Sequence, residues 1–539
     1  MKKGHVTAAV FFLLGFMALR LVHLAEDKSP TNDEFFHHLA NGFSYWAAPG
    51  DFRMNPASPP LPRMATALPL IFLGAKAPLR HESWSQGNSP EFARQFFNVE
   101  NEGRLDEFFF WARIPIILLS LFLGWLVFLW SRELFGDAAA LGSLVLYTFC
   151  PDILAHSALA TADLAVSAFF FLTLFLFWRY LKEPSGACSA SVGFATAFSL
   201  LSKFSAVLLF PILPLVAWAS GRWRILTTKT MLIFLTTCFI GVWAGYLFEV
   251  KPLLKNTPDP PKKEAFLRKI GGEGLVRFGN QTPVPLATFI SSVGSMAFTR
   301  EKGTHAFLLG KWSDAGWWYY YFVAFAIKNT IPFLILCFLA LLFARRYLPD
   351  RIAGAVLWIP VAFFFLVTLR DKAQAGIRYF LPIYPLLFVA CGGVMAWLSK
   401  RKAGFVLCAL LLTWHAGEAL AIHPNEFSYF NEFIGGPANG YRYLRDSNID
   451  WGQDFKGLAK VIHQKGYGEV ALFFYGPANP SWYKIRYRML EDSEFESPKN
   501  TVYAIGTHNI DAVKWTDRYE PDARVGYSIF IYDFRNKQL

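Results

Sequence analysis

Two adjacent carboxylates stand where a membrane enzyme could use them. Asp33 and Glu34 lie in Thr31-Asn32-Asp33-Glu34, just beyond the first long apolar run of the chain. A carboxylate at a membrane surface can act as a general base, and its neighbour can orient a substrate or help to bind a metal ion. The same segment also fits a helix capping box, with Thr31 as the N-cap and Glu34 as the third helical residue. The cap explains Glu34 but leaves Asp33 without a structural role.

A third carboxylate and several cations fall at the ends of later apolar runs. Asp163 opens one run, and Lys203 and Arg378 lie at the ends of others. Ionisable groups at membrane depth are costly and mark functional sites, although an acid at a helix N-terminus is also stabilised by the helix dipole. Bound lipid phosphate would explain the cations, most directly Arg378. For Lys328, inside an apolar run, we favour the alternative of snorkelling to lipid headgroups.

Two loop segments carry further polar residues. The stretch from Asn55 to Arg63 contains four prolines, which predict a rigid, extended course over the membrane or along a substrate cavity. Near the C-terminus, Asp446, Asp450 and Asp454 are spaced by four residues in a segment rich in Gly, Asn and Asp. That composition favours tight turns and helix caps. Binding of a sugar or a metal ion is the alternative.

The composition is that of a polytopic membrane protein. Hydrophobic residues make up 54% of the 539 positions and charged residues only 17%, against roughly 25% in soluble proteins. The net charge of +12 is spread over short clusters between apolar runs. Such clusters indicate the cytoplasmic ends of membrane spans rather than a nucleic-acid-binding face, so no nucleic acid partner is predicted.

Apolar runs of membrane length predict about eleven transmembrane helices, since a span needs about 20 apolar residues. Two of the runs are short. The predicted spans are 6–25, 108–130, 137–152, 158–180, 187–202, 204–220, 230–249, 319–344, 352–369, 379–398 and 404–422.

The clusters of Lys and Arg set the orientation of these spans. If they mark the cytoplasm, the N-terminus is inside, and the loops 26–107 and 250–318 and the tail 423–539 lie outside. In the tail, a helix over 452–465 and strands over 469–475, 501–506 and 525–533 predict a small extracytoplasmic α/β domain. We therefore divide the chain into a membrane domain, 1–422, and this domain, 423–539.

Several segments together resemble a known family. The Asp33-Glu34 pair, Pro59-Pro60-Leu61, Thr161-Ala162-Asp163 and Arg378-Tyr379 occur in the order and topology of the GT-C glycosyltransferases. The similarity is greatest to the protein O-mannosyltransferase-like branch (glycosyltransferase family 39) and its bacterial, phospholipid-carrier-dependent relatives. The segments Gly435–Gly440 and Asp446–Asp454 resemble bacterial members of that branch. A histidine that many members have before Pro-Pro-Leu is Ser58 here.

The resemblance implies a GT-C fold and an inverting transfer of sugar, mannosyltransferase-like, from a polyprenyl-phosphate donor. Asp33 would be the general base, with Glu34 and Asp163 orienting it or the acceptor. Arg378 and Lys203, with Arg63 and Tyr379, would hold the donor phosphate. No cofactor is required and no metal ligands are predicted, although some relatives use a divalent cation.

The resemblance also implies the kind of acceptor and the location of the site. The acceptor would be a hydroxyl of a protein, lipid or glycan, at a site facing the periplasm or outside of a bacterial inner membrane. Two other functions remain open from the sequence alone. One is a transporter or flippase of lipid-linked sugars, and the other is a non-catalytic membrane protein of envelope assembly.

Overall fold

Apolar sequence folds into helices over most of the first 422 residues. The computed structural model describes residues 3–56, 58–255 and 260–537. Within these ranges, seven helices are long and apolar enough to cross a membrane. The protein is thus a polytopic helical membrane protein. The seven helices are Lys3–Asp27, Leu105–Phe135, Asp163–Lys182, Thr228–Gly245, Arg351–Thr368, Ile377–Leu398 (whose first turns, Ile377–Ile383, are 3-10) and Lys402–Ile422.

The other predicted spans fold into bent or shorter helices. Asp137–Thr148 and Pro151–Ser157 form one pair bent by 63°, and Tyr320–Lys328 and Ile331–Leu342 form a pair bent by 118°. The prediction of one continuous helix over 319–344 is therefore wrong. The break falls at Asn329 and Thr330, directly before a helix with proline in its first turn. The remaining spans are Gly186–Ser202 and Phe204–Ala219, and the count of eleven stays a prediction.

The ends of these helices fall on two faces of the helical bundle. On one face, Arg179 pairs with Glu133, and Lys182 lies 3.6 Å from Asp350, so ion pairs join the ends of three membrane helices there. On the other face lie the starts of the helices that carry Asp163 and Arg378. The orientation, in which the basic connections are cytoplasmic, stays a prediction.

The two long loops contain short helices and strands. The first loop includes an apolar helix, Leu61–Phe72, whose Phe72 is 83% exposed, as expected for a helix lying at a membrane surface. The first loop comprises Glu34–Leu39 (π-helical), Ala40–Ala47, Leu61–Phe72, Glu82–Ser85, Ser89–Gln95 and Phe96–Glu100 (π-helical). The second comprises the strand pair Val250–Pro252 and Pro283–Pro285, the helices Pro260–Gln281 and Ala287–Lys302, and the hairpin Ala306–Leu308 and Lys311–Ser313.

The tail folds into a five-stranded mixed sheet with helices. Val470–Phe473 pairs in parallel with Tyr487–Met489 and with Val502–Gly506. Ile529–Asp533 then pairs antiparallel with Val502–Gly506 and with Ala523–Val525. Alternate residues of the strands face opposite sides of the sheet, and one side packs on the helix Phe455–Lys465.

The tail sheet follows the secondary structure that the sequence predicts. The strands Tyr487–Met489 and Ala523–Val525 were not predicted separately. The last long helix ends at Ile422, the residue before the predicted tail. The division into two domains itself stays a prediction.

Backbone hydrogen bonds join the tail to the first loop. The Asn32 N–H donates to the Trp451 carbonyl at 2.9 Å, and the Ser29 N–H donates to the Gln453 carbonyl at 2.9 Å. Asp454 accepts a hydrogen bond from Lys28 Nζ at 2.8 Å. The tail therefore lies directly against the segment that carries Asp33.

Candidate active site

A short helical turn presents Asp33 and Glu34 in different directions. The turn continues into the π-helical segment Glu34–Leu39. Such π-helical turns are rare and often occur at functional sites. Half of the predicted capping box is present, because the Glu34 carboxylate accepts from the Thr31 N–H at 2.9 Å. The Thr31 hydroxyl donates to Glu34 at 3.0 Å instead of accepting from the backbone.

Glu34 is held in a fully buried ion pair. Arg113 donates to its two oxygens through Nε at 2.9 Å and Nη2 at 2.8 Å, and the Ala160 N–H donates at 2.8 Å. Neither Glu34 nor Arg113 has exposed side-chain surface. The sequence did not single out Arg113. These contacts give Glu34 a structural part, whereas its predicted role toward an acceptor stays a prediction.

Asp33 belongs to a row of alternating charges. Its Oδ2 accepts from Arg378 Nη1 at 2.8 Å, and the same nitrogen lies 3.7 Å from Asp163 Oδ2. Asp163 Oδ1 in turn accepts from Lys203 Nζ at 2.6 Å. Four residues that the sequence singled out separately, from four distant segments, are thus brought together.

The row keeps an accessible edge. Side-chain exposure is 21% for Asp33, 12% for Arg378 and 23% for Lys203, while Asp163 is buried. Burial raises the pKa of Asp33, and the guanidinium of Arg378 together with nearby imidazoles lowers it, leaving the pKa below its usual value. Asp33 is therefore ionised at neutral pH and can accept a proton.

Arg378 is oriented by the tail. Its Nε donates to the Ala375 carbonyl at 2.9 Å, which also accepts from the Ser447 hydroxyl at 2.7 Å. Its guanidinium lies over the Trp451 ring, 4.4 Å from the centroid. Between them, Gly376 has φ +86°, and a Cβ there would meet Ser447 Oγ at 2.7 Å, so only glycine allows this approach. Trp451 lies in the segment Asp446–Asp454, but the sequence indicated no role for this residue.

Lys203 and Tyr379 form the side of the site that faces the apolar helices. Lys203 Nζ lies over the Tyr379 ring, 4.2 Å from its centroid. Residues on both sides of Lys203, Leu200 and Phe204, line an apolar cavity of about 380 Å³. The cation thus lies next to a space that a hydrocarbon chain could fill.

Arg63 lies close to His37 and His38, the two histidines of the π-helical segment after Asp33. The guanidinium is 1% exposed and donates to the Asn55 carbonyl at 2.7 Å and the Tyr45 hydroxyl at 3.0 Å. Its Nε and Nη2 have no hydrogen-bond partner among the described residues. Burial, and then the charge of Arg63, lower the pKa of His38 to about 3, so that imidazole is neutral. The sequence analysis did not assign a role to the histidines.

Lys328 is neither at a lipid headgroup nor at the row of charges. It is 1% exposed and donates to the carbonyls of Phe427 at 2.9 Å and Asn448 at 2.8 Å. Asp152 lies 3.9 Å away. The favoured interpretation of snorkelling is therefore wrong, because the broken helix directs the amine inward, where it binds the tail.

The three evenly spaced acids of the tail lie in different environments. Asp454 binds Lys28 and the Ser528 hydroxyl, the latter at 2.6 Å. Asp450 accepts from the N–H groups of Gly452 at 3.2 Å and His508 at 3.3 Å. Asp446 alone interacts electrostatically with Asp33 and Arg378. Gly452 has φ +88°, which breaks the helical spacing that a common site would need.

The described ranges contain no preformed group of metal ligands. No group of three or more His, Cys, Asp or Glu side chains there is placed to hold a metal ion. The row from Asp33 to Lys203 is instead balanced by its own cations. It can bind an anion at its cationic edge and accept a proton at Asp33.

Comparisons with solved structures give distant similarities. ArnT from Cupriavidus metallidurans, bound to undecaprenyl phosphate, is 13% identical over 98% of each chain, with a TM-score of 0.46. The oligosaccharyltransferase AglB from Archaeoglobus fulgidus, in complex with an inhibitory peptide and a dolichol-phosphate, is 12% identical. That match covers 76% of this chain and 56% of AglB, with a TM-score of 0.46. No curated protein sequence matches the chain significantly.

A family model matches part of the membrane region. Residues 106–246 match the family described as dolichyl-phosphate-mannose-protein mannosyltransferase. The matched segment contains Asp163 and Lys203 but neither Asp33 nor Arg378. The resemblance that the sequence indicated is thereby confirmed over residues 106–246, where the chain is similar to the dolichyl-phosphate-mannose-protein mannosyltransferase family.

Proposed function

We propose that the protein is an inverting glycosyltransferase that moves a sugar from a polyprenyl-phosphate donor to an acceptor hydroxyl. The family match supports a transferase that uses a lipid-linked sugar. The observation that carries the proposal is the row from Asp33 to Lys203, with its accessible edge at one end of the membrane helices. By the orientation of the basic connections, that end is extracytoplasmic, and we place it at the periplasmic face of a bacterial inner membrane.

In this reaction, Asp33 takes the proton of the acceptor hydroxyl. The acceptor oxygen forms a bond to the anomeric carbon while the bond from that carbon to the phosphate oxygen breaks. The electron pair of the broken bond leaves with the polyprenyl phosphate. Because attack and departure occur on opposite faces of the sugar, the anomeric configuration inverts. The Arg378 ion pair keeps Asp33 ionised before the acceptor arrives.

The leaving phosphate needs positive charge, and the site offers it on the side of Lys203. Lys203 is the most exposed cation of the row and lies against Tyr379. Arg63 contributes further positive charge. Within the described ranges no carboxylate forms an ion pair with it, and two of its nitrogen atoms have no hydrogen-bond partner. A buried guanidinium without a counter-ion is costly, and a phosphate would offset that cost.

The lipid tail of the donor would lie in apolar space that begins at Lys203. The cavity of about 380 Å³ shares Phe210 and Leu235 with a second apolar cavity that extends toward Leu226, near the basic face. The helix Thr228–Gly245 borders both cavities, and only 11% of its membrane segment is buried. The path therefore lies at the lipid-facing edge of the helical bundle.

The test is acceptor-dependent release of the lipid carrier. The purified protein in detergent is mixed with polyprenyl-phosphate sugars, the mannosyl conjugate first, with and without an acceptor mixture of peptides, glycans and lipids. We expect free polyprenyl phosphate to appear only with protein and acceptor together. Asp33→Asn is the matched control and should release none. If the conjugate stays intact in detergent but crosses the bilayer of proteoliposomes, the protein is a transporter and the proposal fails.

A further inference from the structure

We propose that the tail completes the active site with an acceptor subsite built from Asp446 and Tyr475, and that this subsite takes a neutral saccharide. The inference rests on the proposed transferase function and names its acceptor class. The relative positions of the donor side, Asp33 and the tail support it. The donor lipid would occupy the side of Lys203, so an inverting reaction requires the acceptor to approach from another side. The tail lies there, next to Asp33 and Arg378.

Asp446 offers a carboxylate to this approach. It is only partly exposed, and within the described ranges no side chain donates a hydrogen bond to it. It interacts electrostatically with both Asp33 and Arg378. Its φ of +56° is unusual for a residue other than glycine, and such strain persists only where the surrounding structure enforces it. A carboxylate of this kind can accept hydrogen bonds from sugar hydroxyls.

Tyr475 offers an aromatic surface beside the same carboxylates. Tyr475 packs against the buried cluster that contains Trp451, the ring over which the Arg378 guanidinium lies, so the tyrosine is next to the site. One face of the ring stacks on His508, with centroids 4.3 Å apart and planes 19° apart. The ring is half-buried. A rigid aromatic ring next to a carboxylate is a surface on which the apolar face of a sugar ring can pack.

The aromatic surface extends outward from the site. The ring of Trp312 lies 5.9 Å from that of His508, and the exposed His305 stacks on Trp312 at 4.6 Å. Tyr475, His508, Trp312 and His305 therefore form a continuous series of rings from the site to the surface. A chain of sugar rings could lie along such a series, which favours a glycan acceptor over a single monosaccharide.

The charges of the subsite favour a neutral acceptor. Asp446 brings negative charge, and the nearby Arg445 is already paired with Asp511 through two hydrogen bonds of 2.6 Å. An acidic acceptor would therefore be repelled by the Asp446 carboxylate. A peptide acceptor would leave the series of rings without a role, so we assign the subsite to a saccharide.

The experiment measures acceptor binding without turnover, by saturation-transfer NMR on the full-length protein in detergent. The probes are neutral methyl glycosides and short neutral oligosaccharides, with a serine-containing tetrapeptide in parallel. We expect binding of at least one saccharide, weakened about fivefold or more by Tyr475→Ala, as for loss of one aromatic contact of about 1 kcal/mol. Asp446→Asn, which tolerates the positive φ, should weaken it similarly.

Two control variants separate the possible outcomes. Tyr467→Ala removes another tail tyrosine, and Lys182→Ala alters the opposite face of the helical bundle, so neither should change saccharide binding. Binding of the peptide alone, or saccharide binding that survives both Tyr475→Ala and Asp446→Asn, would overturn the inference. Failure of the transferase proposal would show separately, as no release of polyprenyl phosphate with any acceptor even though saccharides bind.

Discussion

Replacing Glu34 by Gln should destabilise the protein far more than the neighbouring change Asp33→Asn. The Glu34 carboxylate accepts five hydrogen bonds, two of them from the buried guanidinium of Arg113. A glutamine amide has one acceptor oxygen, so its NH2 group would face donors, and Arg113 would lose its counter-charge. Removing one partner of a buried ion pair costs about 3–5 kcal/mol. Asp33 keeps accessible surface, so its change to Asn should cost little.

The measurement is the midpoint of thermal unfolding in detergent, followed by intrinsic tryptophan fluorescence. We expect Glu34→Gln to lower the midpoint by several degrees and Asp33→Asn to leave it near the wild-type value. The double variant Glu34→Gln/Arg113→Gln should lose about 2 kcal/mol less than the sum of the two single variants, since the two side chains are coupled. A stable Glu34→Gln protein without transfer activity would refute this reasoning and place Glu34 in the chemistry.

Three further predictions concern the donor side and the tail. Lys203→Met should raise the KM for the donor about tenfold or more, the effect of losing a charge-assisted hydrogen bond. Lys182→Met, on the opposite face, should leave that KM unchanged, and equal effects would argue against the assignment. Val293→Trp, which fills the cavity beside Lys203, should raise the KM for long-chain donors more than for short-chain ones; an equal change would exclude the proposed lipid path. Burial raises the pKa of Asp450 to about 8, against about 3.9 in an unfolded chain, so the folded protein binds this proton more tightly. The free energy of unfolding should therefore fall as pH rises from about 4 to about 8, by at most about 1.4 kcal/mol per pH unit. Asp450→Asn should flatten this slope in unfolding measurements, and an unchanged slope would contradict the assignment.

Much of the architecture follows from apolar length and charge, because these quantities are local. The helices that carry Asp163 and Arg378 begin close to where the sequence predicts them. The break before Ile331 was missed, since the hydropathy of the run continues across it and only the tail explains why Lys328 turns inward. A hydropathy profile cannot predict a contact with a distant segment of the chain.

In the site, too, local properties could be predicted from the sequence and contacts between distant segments could not. Asp33, Asp163, Lys203 and Arg378 could be singled out because charges are rare at membrane depth, and the resemblance gave their order. Arg113 and Trp451 could not, because each acts through a partner far along the chain: Glu34 for Arg113, and Arg378 for Trp451. The even spacing of the tail acids was misleading for a related reason. The positive φ of Gly452 separates them.

The most direct test of the central claim is the turnover of Asp33→Asn with a polyprenyl-phosphate sugar and an acceptor that the wild-type protein uses. A general base contributes typically about 10²–10⁴-fold to a rate. We predict a loss of kcat in that range, with the thermal midpoint retained and the product of the wild-type protein inverted at the anomeric carbon. Turnover by Asp33→Asn at the wild-type rate, or a product of retained configuration, would contradict the account.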